Sequence, residues 1–158
     1  MKLEEVELTI EDAKDGVFAI SLVENPAIEK DFIALSSDKI ELKVIDEEGR
    51  IVVGFALVPD KRIYRRIKDK EFNIYFSADT IQAAQEQYMK NLNLQNFTLE
   101  HETETSGISV IESWIVEDKN NDKSNLYNLN AQGGEWVVMS KIDNEQVWAE
   151  VKNGTYKG

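Results

Sequence analysis

The chain contains no cysteine. Thiol catalysis, cysteine-ligated zinc and a disulfide framework are therefore excluded, and a reducing compartment is compatible with the composition. Histidine occurs once, as His101. Basic residues are scarce, with 18 Lys and Arg against 30 Asp and Glu and a formal net charge of −12. A phosphate backbone needs a basic face, so the balance argues against nucleic acid as a partner. No apolar run approaches the roughly 18 residues of a membrane helix, and Met1–Glu11 alternates acids with aliphatics rather than forming a signal peptide. Walker, GxGxxG, GxSxG and HExxH patterns are absent, which leaves nucleotide, Rossmann and zinc-hydrolase chemistry without support.

What is present is a chain of 158 residues with 42% apolar side chains. A single domain of this size buries roughly two thirds of its unfolded surface. The apolar pattern reads as about eight short strands and two helices. Strands are expected at Leu3–Ile10, Val17–Val23, Ile40–Val44, Ile51–Val58, Phe72–Phe76, Phe97–His101, Ile108–Val116 and Glu135–Lys141. Ile51–Val58 is apolar on both faces, which marks a central strand. Ile63–Arg66 reads as a polar connector, Thr103–Gly107 as a polar turn and Asp118–Asn130 as a polar loop.

Helices are expected near 78–91 and 144–152. Ser77 can cap the first, with Asp79 in its first turn. Asp143 and Gln146 have capping-box spacing at the second, and Asn153-Gly154 is a stop signal. Strands and helices do not alternate as βαβ units. The fold class is therefore α+β: a mainly antiparallel β-barrel or curved sheet flanked by two or more helices.

Few residues offer chemistry. His101 has the side chain suited to general-base work near neutral pH, although from composition alone an ordinary surface or half-buried histidine is the better account. A histidine base needs a partner on its other ring nitrogen. Glu100 and Glu102 point away from it if the segment is a strand. If 97–103 and 108–116 form a hairpin, positions 110–112 lie opposite His101, and Glu112 is a carboxylate within an apolar run, costly there unless paired. The alternative is a glutamate on the solvated face of an edge strand. Ser113 and Ser140 are the internal nucleophile candidates, neither with a visible activating group. Asp118-x-Asn120-x-Asp122-x-Ser124 has calcium-loop spacing, but lacks the sixth-position glycine and the twelfth-position glutamate. No cofactor and no metal is called for.

The order of several segments goes further. Ile20-Ser21-Leu22-Val23-Glu24-Asn25-Pro26-Ala27-Ile28 is followed by Gly54-Phe55-Ala56-Leu57-Val58-Pro59-Asp60-Lys61-Arg62-Ile63-Tyr64-Arg65. Then come Phe76-Ser77-Ala78-Asp79-Thr80-Ile81, Leu99-Glu100-His101-Glu102 and Val110-Ile111-Glu112-Ser113-Trp114-Ile115-Val116-Glu117-Asp118. Asp122-Lys123-Ser124, Gly134-Glu135-Trp136-Val137-Val138 and Val147-Trp148-Ala149-Glu150-Val151-Lys152-Asn153-Gly154 close the series. From about residue 17 to the last, this order resembles the XkdF-like phage serine proteases. These are counted with prohead proteases of the herpesvirus-assemblin type of fold, a β-barrel flanked by helices.

The resemblance implies a serine endopeptidase that matures phage heads by cleaving scaffold and capsid precursors, in the bacterial host cytoplasm within the assembling procapsid. It implies His101 as base by direct motif match. Glu112 is the expected third member, on its place in the motif and the hairpin argument together. Scaffold and capsid precursors are the expected partners, self-association is left open, and no membrane is involved. In the family, the segment matching Lys152–Gly158 continues into Phe-Ser-Ile, whose serine is the expected nucleophile. Residues 1–158 are thus expected to form one prohead-protease-like domain ending just before that serine, inactive as it stands. A non-enzymatic head-assembly protein that keeps the fold and binds scaffold is the alternative. The last helix and tail should lead Gly158 to within roughly 15 Å of the imidazole, from the reach of extended chain plus side chains.

Overall fold

A computed structural model describes residues 2–10, 16–17, 20–22, 42–100 and 102–158. Ten strands and two α-helices are formed among them: β1 (Glu4–Glu7), β2 (Ile20–Leu22), β3 (Lys43–Asp46), β4 (Ile51–Leu57), β5 (Ile63–Ile67), β6 (Lys70–Tyr75), α1 (Ala78–Lys90), β7 (Phe97–Leu99), β8 (Thr103–Thr105), β9 (Ile108–Ile115), β10 (Trp136–Ile142) and α2 (Glu145–Lys152). The α+β class holds. The strands lie in three open sheets, ordered β1-β6-β5, β3-β4-β10-β9 and β2-β7-β8, and none of these closes into a barrel among the described residues. Pairing is antiparallel except for β1 with β6 and β2 with β7.

Both helices begin where local chemistry directs. Ser77 Oγ accepts the Thr80 amide at 3.3 Å, and Ile81, Ala84 and Tyr88 form the buried stripe of α1. At α2 the cap is Asn144 rather than Asp143. Its Oδ1 accepts the Val147 amide at 3.0 Å while its Nδ2 donates to the Ser106 carbonyl at 3.0 Å. The expected Asp143–Gln146 box is displaced because Asn144 satisfies the helix end and the preceding loop together. Val147, Trp148 and Val151 are the buried side chains of α2, and Gly154 follows with φ of 83°.

The four-stranded sheet is covered on both faces. One face packs Val52, Val110, Trp136, Val138 and Ile142 with Tyr88 of α1 and Trp148 of α2. The other packs Val53 and Val137 with Val116, Leu129 and Ala131, so the 116–131 segment acts as a second cover. This is why β4 carries apolar residues at successive positions. The Asn- and Asp-rich segment expected to be a solvated loop is thus partly a lid over the sheet. Lys43 Nζ ties it down by donating to the carbonyls of Tyr127 and Asn128, at 3.1 and 2.7 Å.

Two expectations fail locally. Ile63–Ile67 is strand β5 rather than a connector, paired along its length with β6. Thr103–Thr105 is strand β8, paired with β7, rather than a turn. Neither contains a buried residue, and neither IYRRI nor TET alternates apolar with polar, so their sequences do not announce them. Backbone pairing with a neighbour makes them strands.

Gly134 closes the second cover against the start of α1. Its φ is 86°, and a Cβ there would stand 2.9 Å from Pro59 Cγ and 3.1 Å from Ala78 Cβ. Gly133 also has a left-handed φ, but a Cβ on it would meet nothing within 4 Å. Gly134→Ala is therefore expected to lower stability by about 2–3 kcal/mol and Gly133→Ala by only about 1 kcal/mol. Paired thermal melts read the difference, which isolates the contact from the backbone strain.

Candidate active site

His101 lies outside the described residues; its sequence neighbours are placed. Leu99 ends β7, Thr103 begins β8, and the Glu102 amide donates to the Leu99 carbonyl at 3.1 Å. The expected hairpin between 97–103 and 108–116 is not formed. Residues 97–99 pair with 103–105, while β9 pairs with β10. Pairing with β8 satisfies the hydrogen bonds of β7 on that side, leaving β9 to complete the four-stranded sheet. The geometric half of the argument for Glu112 therefore falls away, and its place in the motif remains.

Glu112 sits beside a β-bulge. Met139 is opposite Glu112 and Ser140 is opposite Val110, so Ile111 is the extra residue in β9. One inserted residue inverts the facing of everything beyond it. Ile108 and Val110 are buried toward the helices, and so is the side of Ser113 and Ile115. Glu112 and Trp114 turn to the opposite face, beside the 116–131 cover. Strict alternation would have sent Glu112 into the core.

On that face Glu112 is exposed and paired with Lys123, whose Nζ stands 2.6 Å from Oε2. The Glu112 hydrogen bond holds the Lys123 ammonium above its ordinary pKa. Lys123 also lies over the Trp114 ring, at 5.7 Å from its centre. The Trp114 indole donates to Asp122 Oδ1 at 3.1 Å, and the Ser124 amide donates to the same oxygen at 2.8 Å. Burial acts to raise the Asp122 carboxyl pKa, but hydrogen bonds from Ser124 and the Trp114 indole outweigh it and hold the group low. In the sequence Lys123 is one cation in an Asn/Asp-rich loop, and nothing in its spacing marks it as the partner of Glu112.

The motif with calcium-loop spacing turns its oxygens inward upon the backbone. Asp118 Oδ1 accepts the Asn120 amide and Asp122 Oδ1 accepts that of Ser124. No group of three or more His, Asp or Glu side chains converges as a metal site among the described residues.

Ser113 is occupied in packing. Its Oγ accepts the Trp136 indole N–H at 2.9 Å and the Gln85 side-chain amide at 3.1 Å, which ties β9, β10 and α1 together. Ser140 is buried in β10 between Val52 and Val110 of the flanking strands. Ser113→Ala is expected to leave the indole N–H without an acceptor and to cost about 1–3 kcal/mol of stability. The same change should leave any peptidase activity of this domain intact, as a cleavage assay run below the melting temperature would show.

The segment after α2 returns to the body of the molecule. The Leu42 amide donates to the Lys157 carbonyl at 2.9 Å. Tyr156 packs against the apolar cluster that also receives Leu99, two residues before His101. The distance from Gly158 to the imidazole involves a residue outside those described.

The chain matches no curated protein and no solved structure. Residues 39–158 match the family described as "Putative phage serine protease XkdF". That span holds the histidine motif, the Glu112 segment and both helices, while the Ile20–Ile28 motif lies before it. With well over half of its length matched, the chain belongs to this family of phage serine proteases.

Proposed function

We propose that this domain is the base-bearing part of a phage serine endopeptidase that cleaves scaffold and capsid precursors inside the assembling procapsid. The observation that carries the reading is the family match over residues 39–158. In it His101 takes the proton from a serine hydroxyl and returns it to the leaving amine. Glu112 orients and stabilises the resulting imidazolium. The nucleophile is the serine of the Phe-Ser-Ile segment that follows Gly158 in the family pattern. The return of the tail to the cluster that holds Leu99 supports the approach of the tail to the histidine motif, while the role of Glu112 rests on its place in the motif alone. The commitment of Ser113 to the Trp136 indole and the burial of Ser140 support a nucleophile beyond 1–158. The mainly antiparallel sheets and two helices support an assemblin-type arrangement as part of the same reading.

Residues 1–158 by themselves should then bind such precursors without cutting them, which is also what a purely assembly-related role would show. Co-expression with the cognate scaffold separates the two. The polypeptide extended through Phe-Ser-Ile and the rest of the fold should cut the scaffold at defined bonds, seen by mass spectrometry, and its serine-to-alanine variant should not. An extended polypeptide that binds scaffold and leaves it whole would replace the protease reading with the assembly one.

A further inference from the structure

In this acidic chain, six of the 18 basic residues fall between Lys61 and Lys70, against the single acid Asp69. The segment is the β5–β6 hairpin, with register from Ile63 opposite Ile74 to Ile67 opposite Lys70. β1 neutralises Arg62 at the base of the hairpin and Lys70 just past its turn. Arg62 pairs with Glu5 at 3.3 Å and lies 3.9 Å from the centre of the Tyr75 ring, and Lys70 pairs with Glu4 at 3.0 Å. The residues between these two are different. Arg65, Arg66, Ile67 and Lys68 are all exposed, Ile67 at 64%. Arg65 donates to the Tyr64 carbonyl and Arg66 to that of Lys68, and neither enters an ion pair among the described residues. Glu71, which is opposite Arg66 in the register, instead accepts the Tyr64 hydroxyl at 2.6 Å. Asp69 is the one carboxylate in the turn.

β5 is also an edge. Among the described strands it pairs with β6 alone. Arginines on an edge strand guard against wrong pairing, and that accounts for cations there. It does not account for an exposed isoleucine between them and the turn. We infer that the outer edge of β5 is a docking strand for an acidic peptide in extended conformation, whose carboxylates meet Arg65, Arg66 and Lys68.

Three features favour a peptide. An edge offers backbone donors and acceptors that another strand completes. Guanidinium forks match carboxylates two bonds at a time. A five-residue strand spans about 17 Å, the length of a short extended peptide. The inference is independent of the protease reading, since it uses no residue of the proposed catalytic set.

The probe is a ten-residue peptide of paired glutamates separated by valines, so that carboxylates reach both faces of the edge as Arg65 and Arg66 do, titrated into the protein at low salt with backbone amide shifts recorded. Saturable one-to-one binding is expected, with the largest shifts at residues 63–68. Arg65→Glu with Arg66→Glu should weaken it at least tenfold, with the melting temperature as the check on folding. Methylating alternate peptide amides should weaken it comparably with the wild-type protein, where no variant has to fold. No saturable binding, shifts elsewhere or equal affinity for the methylated peptide would overturn the inference. So would tighter binding of a ten-nucleotide single strand, or a concentration-dependent dimer that the double variant abolishes.

Discussion

In the extended polypeptide, His101→Ala is expected to lower the rate of scaffold cleavage by about three orders of magnitude or more. Removing the base of a serine–histidine pair leaves only the acceleration that binding and oxyanion stabilisation supply. The loss should fall on kcat, because proton transfer happens in the transition state and binding of a long precursor uses other contacts. The histidine stands between β7 and β8 in sequence, and the melting temperature of the variant is the check that lost cleavage is not lost folding. Retained cleavage in His101→Ala would end the proposed mechanism. Glu112→Gln divides the site further. If Glu112 orients the imidazole, kcat should fall about 10²–10⁴-fold, since an amide stabilises neither the charged ring nor its tautomer. If Glu112 serves only its ion pair with Lys123, activity should hold and Lys123→Gln should behave the same way. An exposed pair of this kind contributes little stability, so folding will not confuse the comparison.

The largest loss of stability is expected from Trp136→Ala. Trp136 is fully buried, and its ring meets Tyr88 edge to face at 5.1 Å between centres. Its indole N–H is held by Ser113 Oγ, which also receives Gln85 of α1. One side chain thus joins the central strand β10, its edge partner β9 and the first helix. Truncation should cost about 3–5 kcal/mol through the cavity and the lost contacts. For a domain of this size that lowers the melting temperature by roughly 10 °C. Trp136→Phe should fall between, keeping most of the ring contact with Tyr88 and losing the hydrogen bond. Combining Trp136→Phe with Ser113→Ala should cost less than the two singles together, because both remove the same bond. Additive losses would show that the indole–hydroxyl contact contributes nothing of its own.

Much of this protein is legible in its sequence because the physics is short-range. Ser77 caps α1 and the Ile81–Ala84–Tyr88 stripe sets its buried face, both from spacing within a few turns. Asn153 and Gly154 stop α2 for similar local reasons. The apolar run of β4 announces a strand covered on both sides, and the histidine and Glu112 motifs fall within the span that places the chain in its family. Tertiary structure decided the rest. Strands β5 and β8 exist because a neighbour pairs with them, and no alternation reports that. β7 pairs with β8 and leaves β9 to β10, a choice between partners that the strands' own sequences do not record. The extra residue Ile111 then inverted the faces of β9, sending Ser113 to the Trp136 indole and Glu112 outward to Lys123. A bulge belongs to the ladder between two strands, and a single strand's sequence carries no record of it.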